Sequence, residues 1–79
     1  MYYVYILYSK SLDQYYTGFS QDLKERLSYH KSHQVKTTSR KDDYTLVWYC
    51  AFDSKVKALL FERYLKKGSG FAFRNKYFI

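Results

Sequence analysis

The residues of this chain with most chemistry to offer are two tyrosines, an arginine with a histidine one helical turn on, and a single glutamate. Tyr5 belongs to the run Tyr2-Tyr3-Val4-Tyr5-Ile6-Leu7-Tyr8 and Tyr16 to the run Tyr15-Tyr16-Thr17-Gly18-Phe19, with the mostly polar Ser9-Lys10-Ser11-Leu12-Asp13-Gln14 between them. Aromatic and β-branched runs split by a polar break predict a β-hairpin. Pairing Tyr8 with Tyr15 sets Leu7 opposite Tyr16 and Tyr5 opposite Gly18, which makes Tyr5 and Tyr16 diagonal neighbours on one face. A slip of one residue would send the two hydroxyls to opposite faces. Gly18 would leave a patch of open floor beside Tyr5, where the backbone of another molecule could approach closely. A free phenol titrates at about pH 10. An arginine fork can donate two hydrogen bonds to paired oxygens at any relevant pH.

These residues need elements to hold them. After the hairpin, Asp22 and Glu25 have the spacing of a capping box and predict a helix that carries Leu23, Leu27 and Tyr29 to about residue 32. Arg26 and His30, four positions apart, share a face of that helix, and the short connection places Arg26 beside Tyr16. Residues 31–43 read as a long basic loop in which Lys31, Lys36, Arg40 and Lys41 suit phosphate contacts. Residues 46–52 form a third strand with Leu46, Trp48, Cys50 and Phe52 on its more apolar face, Cys50 serving as a small buried hydrophobe. Asp53 or Ser54 caps a second helix whose apolar stripe is Val56, Leu59, Leu60, Tyr64 and Leu65. Glu62 stands at the border of that stripe and is the only acidic residue in the helix interior. Gly68 reads as a left-handed cap and Ser69 as the cap of a short last helix through Phe71, Phe73 and Tyr77. The order is β-β-α-β-α-α. It predicts an α/β fold, an α+β sandwich of a three-stranded, mostly antiparallel sheet flanked by helices, as one domain over residues 1–79.

With 79 residues the chain is near the lower limit for a single hydrophobic core, and 11 Tyr, 6 Phe and 1 Trp help it to build one. So small a body leaves little room for a specificity module beside a catalytic site, which points to a protein partner that supplies specificity. The lone Cys50 excludes an internal disulfide, and neither a signal peptide nor a membrane span is evident, so a reducing cytoplasm and no membrane contact are expected. A net charge of +7 favours a polyanionic partner.

Tyr3-Val4-Tyr5 followed by Tyr16-Thr17-Gly18 resembles the paired motifs of the GIY-YIG nuclease superfamily, especially its small single-domain bacterial members, which are like the N-terminal domain of excision-repair nucleases. Further matches follow in order: Asp22-Leu23-Lys24-Glu25-Arg26 with His30, then Leu46-Val47-Trp48-Tyr49, then Phe61-Glu62-Arg63-Tyr64-Leu65-Lys66, then Gly68-Ser69-Gly70-Phe71-Ala72-Phe73. Each motif alone is weak, but together they are specific and cover nearly the whole chain.

The resemblance implies a metal-dependent endonuclease that hydrolyses phosphodiester bonds in DNA, with a link to DNA repair. It matches Tyr5 and Tyr16 to the motif tyrosines, Arg26 to the essential helix arginine, His30 to a nearby polar position and Glu62 to the glutamate that holds one Mg²⁺ or Mn²⁺ ion. Such chemistry needs an activated water, a cation at the phosphoryl oxygens and help for the leaving oxygen, and these five residues offer a candidate for each. Tyr16 would be the general base, with Tyr5 orienting the water or sharing the role, and a mildly alkaline pH optimum is expected. Gly18, Lys24, Lys31, Lys36, Arg40, Lys41, Lys66 and Lys67 are the expected nucleic-acid contacts.

The chain departs from the family pattern at Tyr3, Thr17 and Phe19. Phe19 stands where some relatives carry a lysine whose work would pass to Lys24 or Lys31. Asn75 is the only candidate for a C-terminal asparagine near the site, and Asp43-Tyr44 replaces a proline often found before the third strand. Two plainer readings stand beside the enzyme. One is a nucleic-acid-binding module with the same fold and little activity; in it Glu62 is simply a helix-edge carboxylate paired with Lys66. The other is a structural or partner-binding domain.

Overall fold

The computed structural model describes residues 1–27 and 44–79. The continuous apolar run at the start becomes β1 (Tyr2–Ser9), which lies between β2 (Gln14–Ser20) and β3 (Tyr44–Phe52) in an antiparallel sheet of order β2-β1-β3. A central strand has neighbours on both edges and layers on both faces, so it buries residues of either alternation. Val4, Tyr5, Ile6 and Leu7 are all buried accordingly. The hairpin register is the expected one: Tyr8 pairs with Tyr15, Leu7 with Tyr16 and Tyr5 with Gly18. The turn closes on Asp13, which takes the left-handed conformation (φ 50°) and accepts a hydrogen bond of 2.9 Å from the Tyr8 hydroxyl. Asp is among the few non-glycine residues that tolerate this region.

The helix expected after β2 begins at the expected place. Asp22 caps it, its Oδ1 accepting from the Glu25 amide at 2.9 Å, and residues 23–27 are the described part of this helix, α1. Ser20 braces the entry by donating to the Asp22 carbonyl and accepting from the Asp22 amide.

Two expectations about faces are corrected. In β3 the register shifts between Ile6 and Leu7, with Ile6 opposite Trp48 but Leu7 opposite Leu46. Val47 is therefore an extra residue, and such a bulge turns every side chain before it to the other face. Leu46 leaves the Trp48, Cys50 and Phe52 set and joins the face of Leu7, Tyr5 and Tyr49.

The second correction concerns α2 (Lys55–Tyr64), capped by Ser54, whose hydroxyl accepts from the Lys57 amide. Val56, Leu60 and Tyr64 are exposed, Ala58 and Leu65 two turns on are buried, and Leu59, Phe61 and Glu62 are half-buried. Small Ala58 lets the helix come down onto Val4, while Trp48, Phe52, Phe61 and Phe78 fill the layer around it.

The last helix, α3 (Gly68–Tyr77), starts two residues earlier than expected. Lys67 rather than Ser69 is its cap residue, and no side chain caps it. Gly68 has a positive φ, 65°, but it opens α3 and does not cap α2, which ends at Tyr64 with Leu65 in the right-handed conformation as its cap. Gly70 sits where α3 crosses the end of α2, and a Cβ there would strike the Tyr64 carbonyl. Gly70→Ala is therefore expected to destabilise the fold by about 1–3 kcal/mol through overpacking against rigid backbone, outweighing the gain of about 1 kcal/mol that alanine brings to a helix interior. A fall in the urea midpoint at unchanged slope checks this; a rise would show that α3 is not pinned there.

Candidate active site

Because β-strand side chains alternate, the pairing of Tyr5 with Gly18 and of Leu7 with Tyr16 puts both motif tyrosines on the sheet face away from the Val4 core. Their rings lie 6.3 Å apart at 48°. The two phenols live in different surroundings. Tyr16 is 43 % exposed at the rim, whereas Tyr5 is 1 % exposed beneath it. Burial, with Tyr16 and Glu62 also opposing ionisation and Arg26 favouring it, pushes the Tyr5 phenol up to about 12. Two things follow. Tyr5 is a neutral hydroxyl throughout the physiological range, able to donate and accept hydrogen bonds but not to serve as a ready base. And Arg26 from α1 and Glu62 from α2 both act on the Tyr5 phenol through their charges.

The floor beside Tyr5 is not open as expected. A Cβ on Gly18 would lie 2.6 Å from the Tyr5 Cζ and hydroxyl and 2.9 Å from Tyr16 Cε2. The room that glycine leaves is taken by the protein's own phenol, which crosses β2 there. Gly18 is buried under it, so its contribution is to seat Tyr5 and not to meet the backbone of a nucleic acid.

Glu62 lies at the border of the inward side of α2. Its side chain is 18 % exposed, and its Oε2 accepts from the Lys66 ammonium at 2.8 Å, the i,i+4 pair that the plainer reading anticipates. A cation therefore fits against this carboxylate. Among the described residues no group of three or more His, Cys, Asp or Glu side chains gathers into a metal cage. One carboxylate whose partner is a half-exposed ammonium fits Mg²⁺ or Mn²⁺, ions that take one or two protein carboxylates and fill their other positions with water and phosphate oxygen.

Where β2 runs into α1, an open cleft of about 720 Å³ is bordered by Phe19, Ser20, Asp22, Glu25, Arg26 and Lys55. Lys55, the first residue of α2, is a cation that sequence reasoning missed. Its signal was its place just after the Ser54 cap, which brings it across the cleft from Arg26. Lys24 lines a different groove, with Tyr3, Leu23, Leu27, Leu46 and Tyr49. Lys66 and Lys67 are exposed at the end of α2. Asn75 goes elsewhere: its Oδ1 accepts from Nε (3.1 Å) and NH2 (2.8 Å) of Arg74, whose NH1 donates to Thr17 Oγ1 at 3.2 Å. Thr17 alternates with Tyr16 and Gly18, so this cluster belongs to the opposite face of the sheet. Arg74 is 7 % exposed, and its guanidinium lies 4.5 Å from the centroid of Phe71. His30, Lys31, Lys36, Arg40 and Lys41 lie outside the described residues.

Cys50 is half-buried in the core layer, is not in a disulfide, and its thiol is pushed up by burial. No helix among the described residues is long and apolar enough to cross a membrane.

Comparison with known proteins returns no significant match among curated proteins or solved structures. The family model of the GIY-YIG catalytic domain matches residues 1–77. Paired tyrosines on one face of a β2-β1-β3 sheet, with a helix arginine and a helix glutamate whose charges act on the buried one, agree with that match, and the chain belongs to the GIY-YIG family, whose nuclease fold is generally that of an endonuclease.

Proposed function

We propose that this protein is a divalent-metal-dependent endonuclease that hydrolyses phosphodiester bonds in DNA. The observation that supports the reading is the pair of phenols on one sheet face, Tyr5 buried and Tyr16 exposed, with Arg26 and Glu62 acting electrostatically on Tyr5. Tyr16, the exposed phenol, takes a proton from the attacking water as the new P–O bond forms. Tyr5, held neutral, fixes the orientation of that water through its hydroxyl. Arg26 donates its planar fork to the non-bridging phosphoryl oxygens, whose charge grows toward the transition state. Glu62 holds the metal, which when bound supplies positive charge at the phosphoryl group and the leaving oxygen. Lys55, across the cleft from Arg26, takes a neighbouring phosphate and sets the path of the strand. His30, which family membership matches to a polar position near the site, either donates to the phosphate or the leaving oxygen or packs beside Arg26.

The test is a cleavage screen in Mg²⁺ over duplex, nicked, single-stranded and branched DNA with Glu62→Ala beside the wild type. The wild type is expected to cut at least one substrate. Glu62→Ala is expected to cut it at least about 100-fold more slowly with little change in DNA affinity. Salt-sensitive DNA binding with no cutting of any substrate would instead make the chain a binding module.

A further inference from the structure

The Lys66–Glu62 pair has a role in the site that neither residue's own assignment contains. Lys66 Nζ lies 2.8 Å from Glu62 Oε2, with the ammonium side chain 49 % exposed and the carboxylate side chain 18 % exposed. The carboxylate is thus held at the border of the inward side of α2, while the lysine reaches it from the solvent side on a flexible stem. A divalent cation on Oε2 would sit where the ammonium now is, and the two cannot share that oxygen at contact distance without strong repulsion. A divalent cation that takes Oε2 would therefore displace Lys66, whose ammonium would stay tethered one helical turn from Glu62, free for a substrate phosphate.

We infer that Lys66 is a displaceable counter-cation of the metal site: it holds Glu62 while no metal is bound and passes to a substrate phosphate when a divalent cation takes its place. This rests on the reading of Glu62 as the metal-holding carboxylate. Metal and DNA then reinforce one another through the lysine. Metal releases Lys66 to the phosphate, the phosphate draws Lys66 off the carboxylate, and the two couplings are equal by linkage. Lys67 carries the same charge next door but makes no ion pair with Glu62, which makes it the internal control.

The experiment follows Mn²⁺ binding to the full chain by paramagnetic broadening of amide signals around Glu62, in wild type, Lys66→Gln, Lys67→Gln and Glu62→Gln. A half-exposed ion pair is a modest competitor, so Lys66→Gln is expected to bind Mn²⁺ about two- to five-fold more tightly than wild type, with Lys67→Gln changed by less than about 1.5-fold. Binding to a short duplex is measured in parallel, with EDTA and with Ca²⁺. Glu62→Gln, which frees the lysine, is expected to bind DNA more tightly than wild type in EDTA and with a steeper salt dependence. Lys66→Gln is expected to gain less from Ca²⁺ than wild type does. If Glu62→Gln abolishes Mn²⁺ binding but Lys66→Gln behaves like Lys67→Gln, the lysine exchange is overturned and the metal site stands. If Mn²⁺ binding survives Glu62→Gln unchanged, both are overturned.

Discussion

Replacing Tyr16 by phenylalanine is expected to slow single-turnover DNA cleavage by about 10²- to 10⁴-fold, the range that a positioned general base contributes, with DNA affinity unchanged. The same change should flatten the pH profile. A phenol is a scarce base near neutrality, so a rate that depends on one climbs through roughly pH 6 to 9, and a rate that has lost it does not. Tyr5→Phe is the informative contrast. Its phenol is pushed up to about 12 and stays protonated across that window, so removing its hydroxyl takes away a hydrogen bond but no titration in range. The loss should be about ten- to a hundred-fold, the same at every pH, with the slope intact. The assignment follows from exposure and protonation: Tyr16 stands at the rim, 43 % exposed, while Tyr5 lies beneath it, 1 % exposed, and keeps its proton. If Tyr5→Phe flattens the profile while Tyr16→Phe keeps it, the roles are reversed.

The parts of the site that were legible in the sequence are those set by strict local rules. Alternation and a polar break gave the hairpin, and the pairing of Tyr8 with Tyr15, taken as a condition, is the one the strands adopt. Asp22 and Glu25 marked the start of α1 through a cap whose chemistry is local. What tertiary packing decides was less visible. Hydropathy ranks Val56 and Leu60 above Ala58, yet the space between α2 and the sheet is already filled by Trp48 and Phe52 of β3 and Phe61 of α2, so the small residue faces inward and the larger ones face solvent. Glu62 stays at the border of the inward side, half-buried, as its place in the sequence suggested. The bulge at Val47 has no signal in the strand's own composition. Arg74, which the sequence did not single out, is almost fully buried between Thr17, Asn75 and Phe71, and it claims the asparagine that the family pattern offered to the site.

Gly18 joins the legible and illegible parts, and Gly18→Ala is expected to separate activity from stability. A methyl group at this position would come within 2.6 Å of the Tyr5 Cζ and hydroxyl, and within 2.9 Å of Tyr16 Cε2. These are side-chain atoms at the far end of a ring, not backbone, so the clash is relieved by tilting the Tyr5 ring at a cost of about 1–3 kcal/mol. The chain should still fold and bind DNA. The hydroxyl, however, moves by something on the order of an ångström, and a misplacement of that size costs about 100-fold in rate where orientation matters. Thermal unfolding and single-turnover cleavage of the same preparation separate the two effects. A double-mutant cycle identifies the cause. In a Tyr5→Phe background the hydroxyl is already gone, so Gly18→Ala should cost far less additional rate than it does in the wild type, a strong departure from additivity that two independent lesions would not produce. A folded Gly18→Ala protein with wild-type rate would show that the position of the Tyr5 hydroxyl does not matter, and with it the reason this strand needs a glycine beside its two tyrosines would fall away.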